Sequence, residues 1–219
     1  MKFGISGNKT NIKNWHIFLL LLAGAYINIW IMQQFVLTKA VYYNIYADQL
    51  EISRIDEIYT FQKRVNFLTY LIIPIIMLIK ITFVTLLTQF PLVMKLIDIS
   101  FGKLFRIISC ATVPAVVSTF IKNVWLLNKP VEQLNSHAMA FVPFSLTNLL
   151  DGEHYPIAVY QLLGNINIFE TLWCVIVAEG LYLTGKLKRL DAYLLSTCIW
   201  IALLMFQWIF VLYFVKINN

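Results

Sequence analysis

Charged residues are scarce in this sequence. Only 13% of its 219 residues are Asp, Glu, Lys or Arg, whereas a soluble domain usually carries about 25%. The deficit excludes an ordinary water-soluble globular domain, and 60% of the residues are hydrophobic, with a mean hydropathy of +0.74. Because hydrocarbon contains no water to satisfy backbone polar groups, long apolar runs cross membranes as helices. The composition therefore predicts an all-α, polytopic integral membrane protein.

Signatures of catalysis and metal binding are lacking as well. The sequence contains no HExxH, GxSxG or P-loop motif, and its three cysteines have no CxxC spacing. The spacing of His137, Asp151, Glu153 and His154 fits no defined set of metal ligands. We therefore expect no enzymatic activity, no catalytic residues, no cofactor and no metal. The net charge of +6 is too modest to indicate nucleic-acid binding.

Five apolar segments are long enough to cross about 30 Å of hydrocarbon. They are predicted at Trp15–Val36, Val65–Thr88, Leu104–Leu126, Ile166–Thr184 and Ala192–Val215. The first is expected to be a retained span and not a signal peptide, because its apolar run continues well beyond the small residues at positions 23–25. With no internal repeat, residues 1–219 are predicted to form one transmembrane domain, a five-helix bundle.

Basic residues divide unevenly between the two sides of this predicted bundle. The N-terminal tail and the loops around residues 95–106 and 186–191 hold nine basic and two acidic residues, and the other side holds seven of each. Cytoplasmic loops are enriched in Lys and Arg. We therefore predict a cytoplasmic N-terminus and an external C-terminus. The absence of sorting motifs and of a disulfide framework favours a bacterial cytoplasmic (inner) membrane.

Two of the predicted extracytoplasmic loops are long, at residues 38–64 and 128–165. The first has apolar side chains at roughly helical spacing among acidic residues. This pattern favours an amphipathic helix on the outer membrane surface or an outward extension of the first span, and a solvated connector is the alternative. In the second, the apolar portion Ala138–Leu150 is too short to span, so we expect it to dip into the interface or to pack on the outer face of the bundle.

Two ionisable side chains are predicted inside apolar spans. Lys80 lies in LIIPIIMLIKITFVTLL and Glu179 lies in WCVIVAEGLYL, and a charge at such depth costs about 2.5–3.5 kcal/mol on insertion scales. The second and fourth spans run in the same direction and place the two charges within about one helical turn, roughly 5.4 Å, in depth. We therefore predict an intramembrane pair between Lys80 and Glu179. It could fix the helix register or relay protons or ions, and the alternative is that Lys80 snorkels alone to the interface.

The third span is rich in small residues and contains a proline. Small side chains allow close helix approach, and a proline removes one backbone hydrogen bond and kinks the helix. We predict that this is the central helix of the bundle, and a gate at the kink is the alternative. Its packing and kink residues are Ser109, Ala111, Pro114, Ala115 and Ser118.

A thinly spread set of residues within positions 68–214 carries a family resemblance: Pro74, Gly102, Pro114, Phe169, Trp173, Gly180 and Leu181. At these positions the chain resembles the bacterial branch of the YIP (Ypt-interacting protein) family. The resemblance implies five spans, a cytoplasmic N-terminus and an accessory role in a membrane complex, beside ABC-type exporters in some relatives. Eukaryotic relatives bind small GTPases, but the DLYGP-like segment that they carry before the first span is not present here. GTPase binding is therefore not expected.

These features favour a non-enzymatic accessory or scaffold subunit of a membrane complex such as an exporter. The expected partners are the lipid bilayer and another membrane protein, and nucleic acid is not among them. The alternative is a small transporter or ion-coupled permease that uses the Lys80–Glu179 pair.

Overall fold

The computed structural model describes residues 14–47, 50–149 and 157–218, and this part of the chain is helical, without β-strands. Its first half consists of α1 (Asn14–Ile31), a π-helical turn (Met32–Val36), α2 (Lys39–Tyr46), α3 (Ile52–Met94), α4 (Phe101–Ala111) and α5 (Val113–Leu127). Its second half contains two 3₁₀ turns (Val131–Gln133 and Leu146–Leu149), α6 (Ser136–Ala140), α7 (Ile157–Gly164), α8 (Ile168–Tyr182) and α9 (Arg189–Asn218). The predicted all-α class is confirmed for these residues.

In the described part of the chain, four helical segments are long and apolar enough to cross a membrane. They are Trp15–Val36, Ile52–Met94, Phe101–Leu127 and Arg189–Ile209, and each overlaps a predicted span. The remaining predicted span, Ile166–Thr184, forms α8, which has 15 residues. At about 1.5 Å per residue α8 is roughly 22 Å long, shorter than a hydrocarbon core of about 30 Å. A fifth membrane crossing therefore stays a prediction.

Helix α3 extends well beyond the predicted span Val65–Thr88. Its 43 residues reach about 65 Å, roughly twice the thickness of the hydrocarbon core. Residues 52–64 belong to the same helix as the second predicted span, whereas the sequence predicted a surface helix, an extension of the first span or a solvated connector. Helix α2 packs beside this segment: Lys39 Nζ lies 2.9 Å from Asp56 Oδ1, and the Tyr43 hydroxyl donates to the same carboxylate. The predicted extracytoplasmic loop at residues 38–64 is thus largely a pair of packed helices.

The predicted extracytoplasmic loop at residues 128–165, called the second outer loop after that prediction, packs against the adjacent ends of the neighbouring helices. Its residues Ala138 and Met139 contact an apolar cluster formed by Val36, Val41 and Leu126, each 1% exposed, together with Leu134. This agrees with the expected packing of the apolar portion on the bundle. Residues 150–156 of this loop lie outside the described residues.

The main core forms where α1, α3, α4, α8 and α9 meet. Leu21, Ile81, Leu104, Ile108 and Leu181 are at most 1% exposed in this cluster. Helix α4 lies at its centre, in contact with α1, α3 and α8. A Cβ atom at Gly180 would come within 2.6 Å of the Ile107 side chain, so α8 approaches α4 as closely as a glycine allows.

Two buried asparagines join α1 to α5. Asn28 Nδ2 donates to the Val116 carbonyl at 3.1 Å, and Asn123 Nδ2 donates to the Asn28 carbonyl at 2.9 Å. An amide without partners in apolar surroundings costs free energy, so these bonds are formed only when the two helices are in register.

A tyrosine on α1 compensates for a proline inside α3. Pro74 has no N–H to donate to the carbonyl of Tyr70, four residues earlier. The hydroxyl of Tyr26 donates to that carbonyl at 3.0 Å. The helix therefore continues through the proline, and the same bond ties α1 to α3.

We expect Tyr26→Phe to lower the free energy of unfolding by about 1 kcal/mol, because the Tyr70 carbonyl loses its donor. In a Pro74→Ala background the helix regains its own N–H donor, and Tyr26→Phe should then cost much less. Thermal unfolding of the purified protein in mild detergent measures both effects. Equal losses in the two backgrounds would contradict this role of Tyr26.

Candidate functional site: a charged cavity between two broken helices

Glu179 has partners other than the lysine predicted from the sequence. Its Oε1 accepts hydrogen bonds from Arg189 at 3.0 Å (Nε) and 2.6 Å (Nη2), and from the Tyr193 hydroxyl at 2.8 Å. The carboxylate side chain is 31% exposed. Glu179 thus ties the end of α8 to the start of α9. The predicted Lys80–Glu179 pair is wrong, because the partners of this carboxylate are Arg189 and Tyr193.

Lys80 instead lines a cavity together with Glu170, which lies at the other end of α8. Glu170 and Glu179 are nine residues apart, which corresponds to about 13.5 Å along the axis and about half a turn around it. The two carboxylates therefore face opposite sides of α8. The predicted pair rested only on depth along the membrane normal, and depth does not distinguish the two sides of a helix.

Lys80 and Glu170 line one cavity of about 230 Å³. Helix α3 contributes Lys80, α9 contributes Trp200 and Gln207, and the segment before α8 contributes Asn165. The two charged side chains, both in the described part of the chain, face this cavity without forming a direct ion pair. A volume of this size holds several water molecules.

The first helix break beside the cavity separates α4 from α5. The break lies at Thr112, and Pro114 follows in the first turn of α5. Pro114 cannot donate to the Cys110 carbonyl, and the Thr112 hydroxyl bonds back to Ile108 O at 2.9 Å. Thr112 and Ala115 both line the cavity.

The predicted packing residues occupy the two sides of this break. Ser109 and Ala111 are fully buried in α4, and Pro114 is also buried. Ala115 and Ser118 are half-buried in α5 and line a second cavity, described below. The proline thus falls where the third span changes from core packing to cavity lining.

The second helix break separates α7 from α8, at residues 165–167. Asn167 caps α8, because its side-chain oxygen accepts from the Glu170 N–H at 2.9 Å, and its Nδ2 donates to the Gly164 carbonyl at 2.8 Å. Backbone bonds from Leu146 N to Ile166 O (3.0 Å) and from Ile168 N to Phe144 O (3.2 Å) pair the break with the second outer loop. Hydrogen bonds from Asn167 and from the second outer loop therefore fix the backbone at this break.

Glu170 also borders a second cavity of about 230 Å³. Both cavities share Ala115, Asn165 and Glu170, and the second one adds Lys122 from α5. Lys122 Nζ donates to the Met139 carbonyl at 2.5 Å. Glu170 therefore stands between two cavities, each with one lysine in its wall.

The first cavity opens between α3 and α9. Lys80 and Gln207 are exposed there, beside Phe83 (50% exposed) and Phe206 (59% exposed). In its interior, Trp200 Nε1 is buried next to Glu170. This N–H group is outside hydrogen-bond geometry to Glu170 and to every other acceptor in the described part of the chain. The mouth is thus amphipathic, and the interior presents an acid and an unused N–H donor.

Glu170 is not among the site residues predicted from the sequence, because the predicted fourth span begins at Ile166 and places this residue near its end, close to water. A local signal was available. An asparagine followed three residues later by a glutamate is a typical start of a helix, and this start places Glu170 in the first turn of α8.

No group of three or more potential metal ligands occurs among the residues that the structure describes. Asp151, Glu153 and His154 lie outside the described residues, and His137 packs its ring edge-on against Tyr160 at 5.6 Å.

No protein-family model matches the chain, and neither does any curated protein or solved structure. The resemblance to the YIP family therefore stays a prediction that rests on the residues given above.

We expect Glu179→Gln to lower the melting temperature and to be non-additive with Arg189→Gln, since either change breaks the same pair. Glu179→Gln and Lys80→Met should be additive, because the two residues have different partners. Melting temperatures of the three single and two double variants in detergent give both couplings. Strong coupling between Glu179 and Lys80 would restore the pairing inferred from the sequence.

Proposed function

We propose that this chain is an integral membrane protein of the bacterial inner membrane, with the N-terminus in the cytoplasm and the C-terminus outside. Four helices of sufficient length and apolar character support this placement. In this proposal α8 is the fifth crossing, a short helix whose outer end is completed by α7 and the second outer loop. The orientation rests on the basic-residue count, part of which comes from Lys2, Lys9 and Lys13, outside the described residues.

Within that membrane the chain serves as a non-enzymatic accessory or scaffold subunit that associates with another membrane protein. The exposed mouth of the first cavity is the observation that carries this proposal. Lys80 lies near the midpoint of the predicted Val65–Thr88 span, and lipid at this level offers its ammonium no partner. A transmembrane segment of a partner that covers the mouth would remove Lys80 and Gln207 from lipid.

The chemistry of the mouth indicates what such a partner would present. Phe83 and Phe206 form an apolar rim that suits close side-chain packing, and Lys80 and Gln207 suit a polar or acidic side chain on the partner helix. An accessory role beside an exporter, as implied by the resemblance to YIP proteins, is consistent with this surface. Neither a nucleic acid nor a catalysed reaction is part of the proposal.

A photo-crosslinking residue placed at Phe206 should form a discrete adduct with one membrane protein in native membranes. The matched control is the same residue at Leu20 on α1, which is 65% exposed and outside the cavity lining. Adding Lys80→Met to the Phe206 probe should reduce the adduct several-fold. Equal labelling at both positions, or an adduct indifferent to Lys80→Met, would refute a partner at the mouth.

A small ion-coupled permease is the second candidate, favoured by the two helix breaks at Glu170. Transporters commonly place binding sites near mid-membrane, where discontinuous helices expose backbone groups and helix ends. Here the breaks at Thr112 and at residues 165–167 meet beside a carboxylate that borders both cavities. For this mechanism Glu170 replaces Glu179 as the carboxylate, because it shares a cavity with Lys80.

Liposomes that contain only this chain and a trapped pH-sensitive dye test the permease candidate under an imposed membrane potential. If Glu170 relays protons, Glu170→Gln should reduce the proton flux to the level of protein-free liposomes. Glu179→Gln, a matched change on the same helix, should leave the flux intact. No flux above protein-free liposomes for the unmodified chain would exclude proton-coupled transport by the chain alone.

A further inference from the structure

A separate polar pocket of about 500 Å³ lies between the outer end of the first helix, α2 and α3. Four amide side chains face it: Gln33, Gln34, Gln62 and Asn66. It shares no lining residue with either cavity beside Glu170. The two candidate functions leave this pocket without a role.

The π-helical turn brings two adjacent glutamines to the pocket. Successive residues of an α-helix point about 100° apart, which normally turns one of two neighbours away. In the turn Met32–Val36, both Gln33 and Gln34 line the pocket. Single π-turns in α-helices are frequently found at functional sites, and here the turn concentrates amides at one place.

The lining has the chemistry of a site for hydroxyl groups and an anion. An amide side chain both donates and accepts hydrogen bonds, as a hydroxyl-rich ligand requires. Tyr42 and Tyr59 add phenols, and burial raises the pKa of Tyr42, so this phenol keeps its proton. Lys63 supplies a positive charge, and no acidic residue belongs to the described lining. Lysine binds phosphate as a point charge.

The position of the pocket indicates where such a ligand would come from. Its walls come from the last turn of the first predicted span and from residues 59–70 of α3, around the start of the second. In the proposed membrane placement, on which this step rests, that level corresponds to lipid headgroups, where tyrosines are enriched.

We propose that this pocket binds a polyol phosphate, the chemical class of the anionic phosphoglycerol headgroup. The phosphate lies against Lys63, and the hydroxyls bond to Gln33, Gln34 and Asn66. The ligand reaches the pocket either as the headgroup of a membrane lipid or as a free polyol phosphate, and both sources share this chemistry.

Lipid retention by the purified chain, measured by native mass spectrometry from mixed micelles, tests the proposal. Phosphatidylglycerol should be retained about tenfold more strongly than phosphatidylcholine and phosphatidylethanol, which lack the net charge and the polyol respectively. Lys63→Gln should remove the preference over phosphatidylcholine, and Gln34→Leu the preference over phosphatidylethanol. Arg64→Gln, a neighbouring charge change outside the pocket lining, is the matched control and should change neither preference.

Competition with free glycerol phosphate distinguishes the two sources. Displacement of the lipid at millimolar concentration means that the headgroup alone is recognised, and retention without displacement means that the lipid is the ligand. Asn66→Asp is nearly isosteric and adds a negative charge to the pocket, so it should abolish retention of the anionic lipid. This variant replaces Lys63→Gln in the test if Lys63→Gln fails to fold. Equal retention of the three lipids, or preferences unchanged by the pocket variants, would overturn the proposal.

The assay separates this inference from the proposed function. It uses the purified chain without a partner, so a failed crosslink at Phe206 leaves it unaffected. A chain absent from native membrane fractions would refute the membrane placement itself, whereas equal lipid retention would refute only the pocket.

Discussion

Hydrocarbon offers a polar group no hydrogen-bond partner, and in the proposed membrane setting the rest of this structure depends on that constraint. Backbone N–H and C=O groups that are freed where a helix is irregular must therefore find hydrogen-bond partners within the chain. The Tyr26 hydroxyl replaces the donor lost at Pro74, and the asparagine pair Asn28 and Asn123 is bonded across two helices. Buried hydroxyls such as Thr85 and Thr88 bond back to their own helix at 2.7 and 2.8 Å. These polar residues hold helices together and need no transport pathway to explain them.

The same constraint explains why the two helix breaks occur together. A broken helix exposes carbonyl and N–H groups, which are tolerated at membrane depth only when protein covers them or when they line a cavity. The α7–α8 break is bonded to the second outer loop through Phe144 and Leu146, and the α4–α5 break borders the cavity at Thr112. Glu170 belongs to the first turn of α8 and so is brought to the position where irregular backbone and cavity meet. The second outer loop therefore both bonds to the α7–α8 break and forms part of the wall of the second cavity.

Hydropathy predicted much of this architecture, because transfer free energy depends on length and composition alone. The first predicted span, Trp15–Val36, has the bounds of the helical segment in the structure. Hydropathy did not predict two features of the structure. The amphipathic residues 52–64 gain little by entering lipid, so hydropathy could not attach them to α3. Which charges face each other depends on the angle around a helix as well as on depth. Depth alone predicted Lys80 opposite Glu179, whereas Lys80 shares a cavity with Glu170. The cap at Asn167 was the local feature from which the position of Glu170 could have been derived.

Both candidate functions converge on Lys80. Lys80 is exposed at the mouth of the cavity, and Glu170 lies in the wall of the same cavity. In the proposed membrane placement the mouth faces lipid, which offers the ammonium no partner. A partner helix seated there would replace that lipid, and an acidic side chain on it would pair with Lys80. Because removing two charges from water is costly, such a pair stabilises the complex only when its geometry is good and its remaining hydrogen bonds are made. The surface proposed for association and the carboxylate proposed as a relay therefore share one cavity, and a change at the mouth alters the surroundings of both.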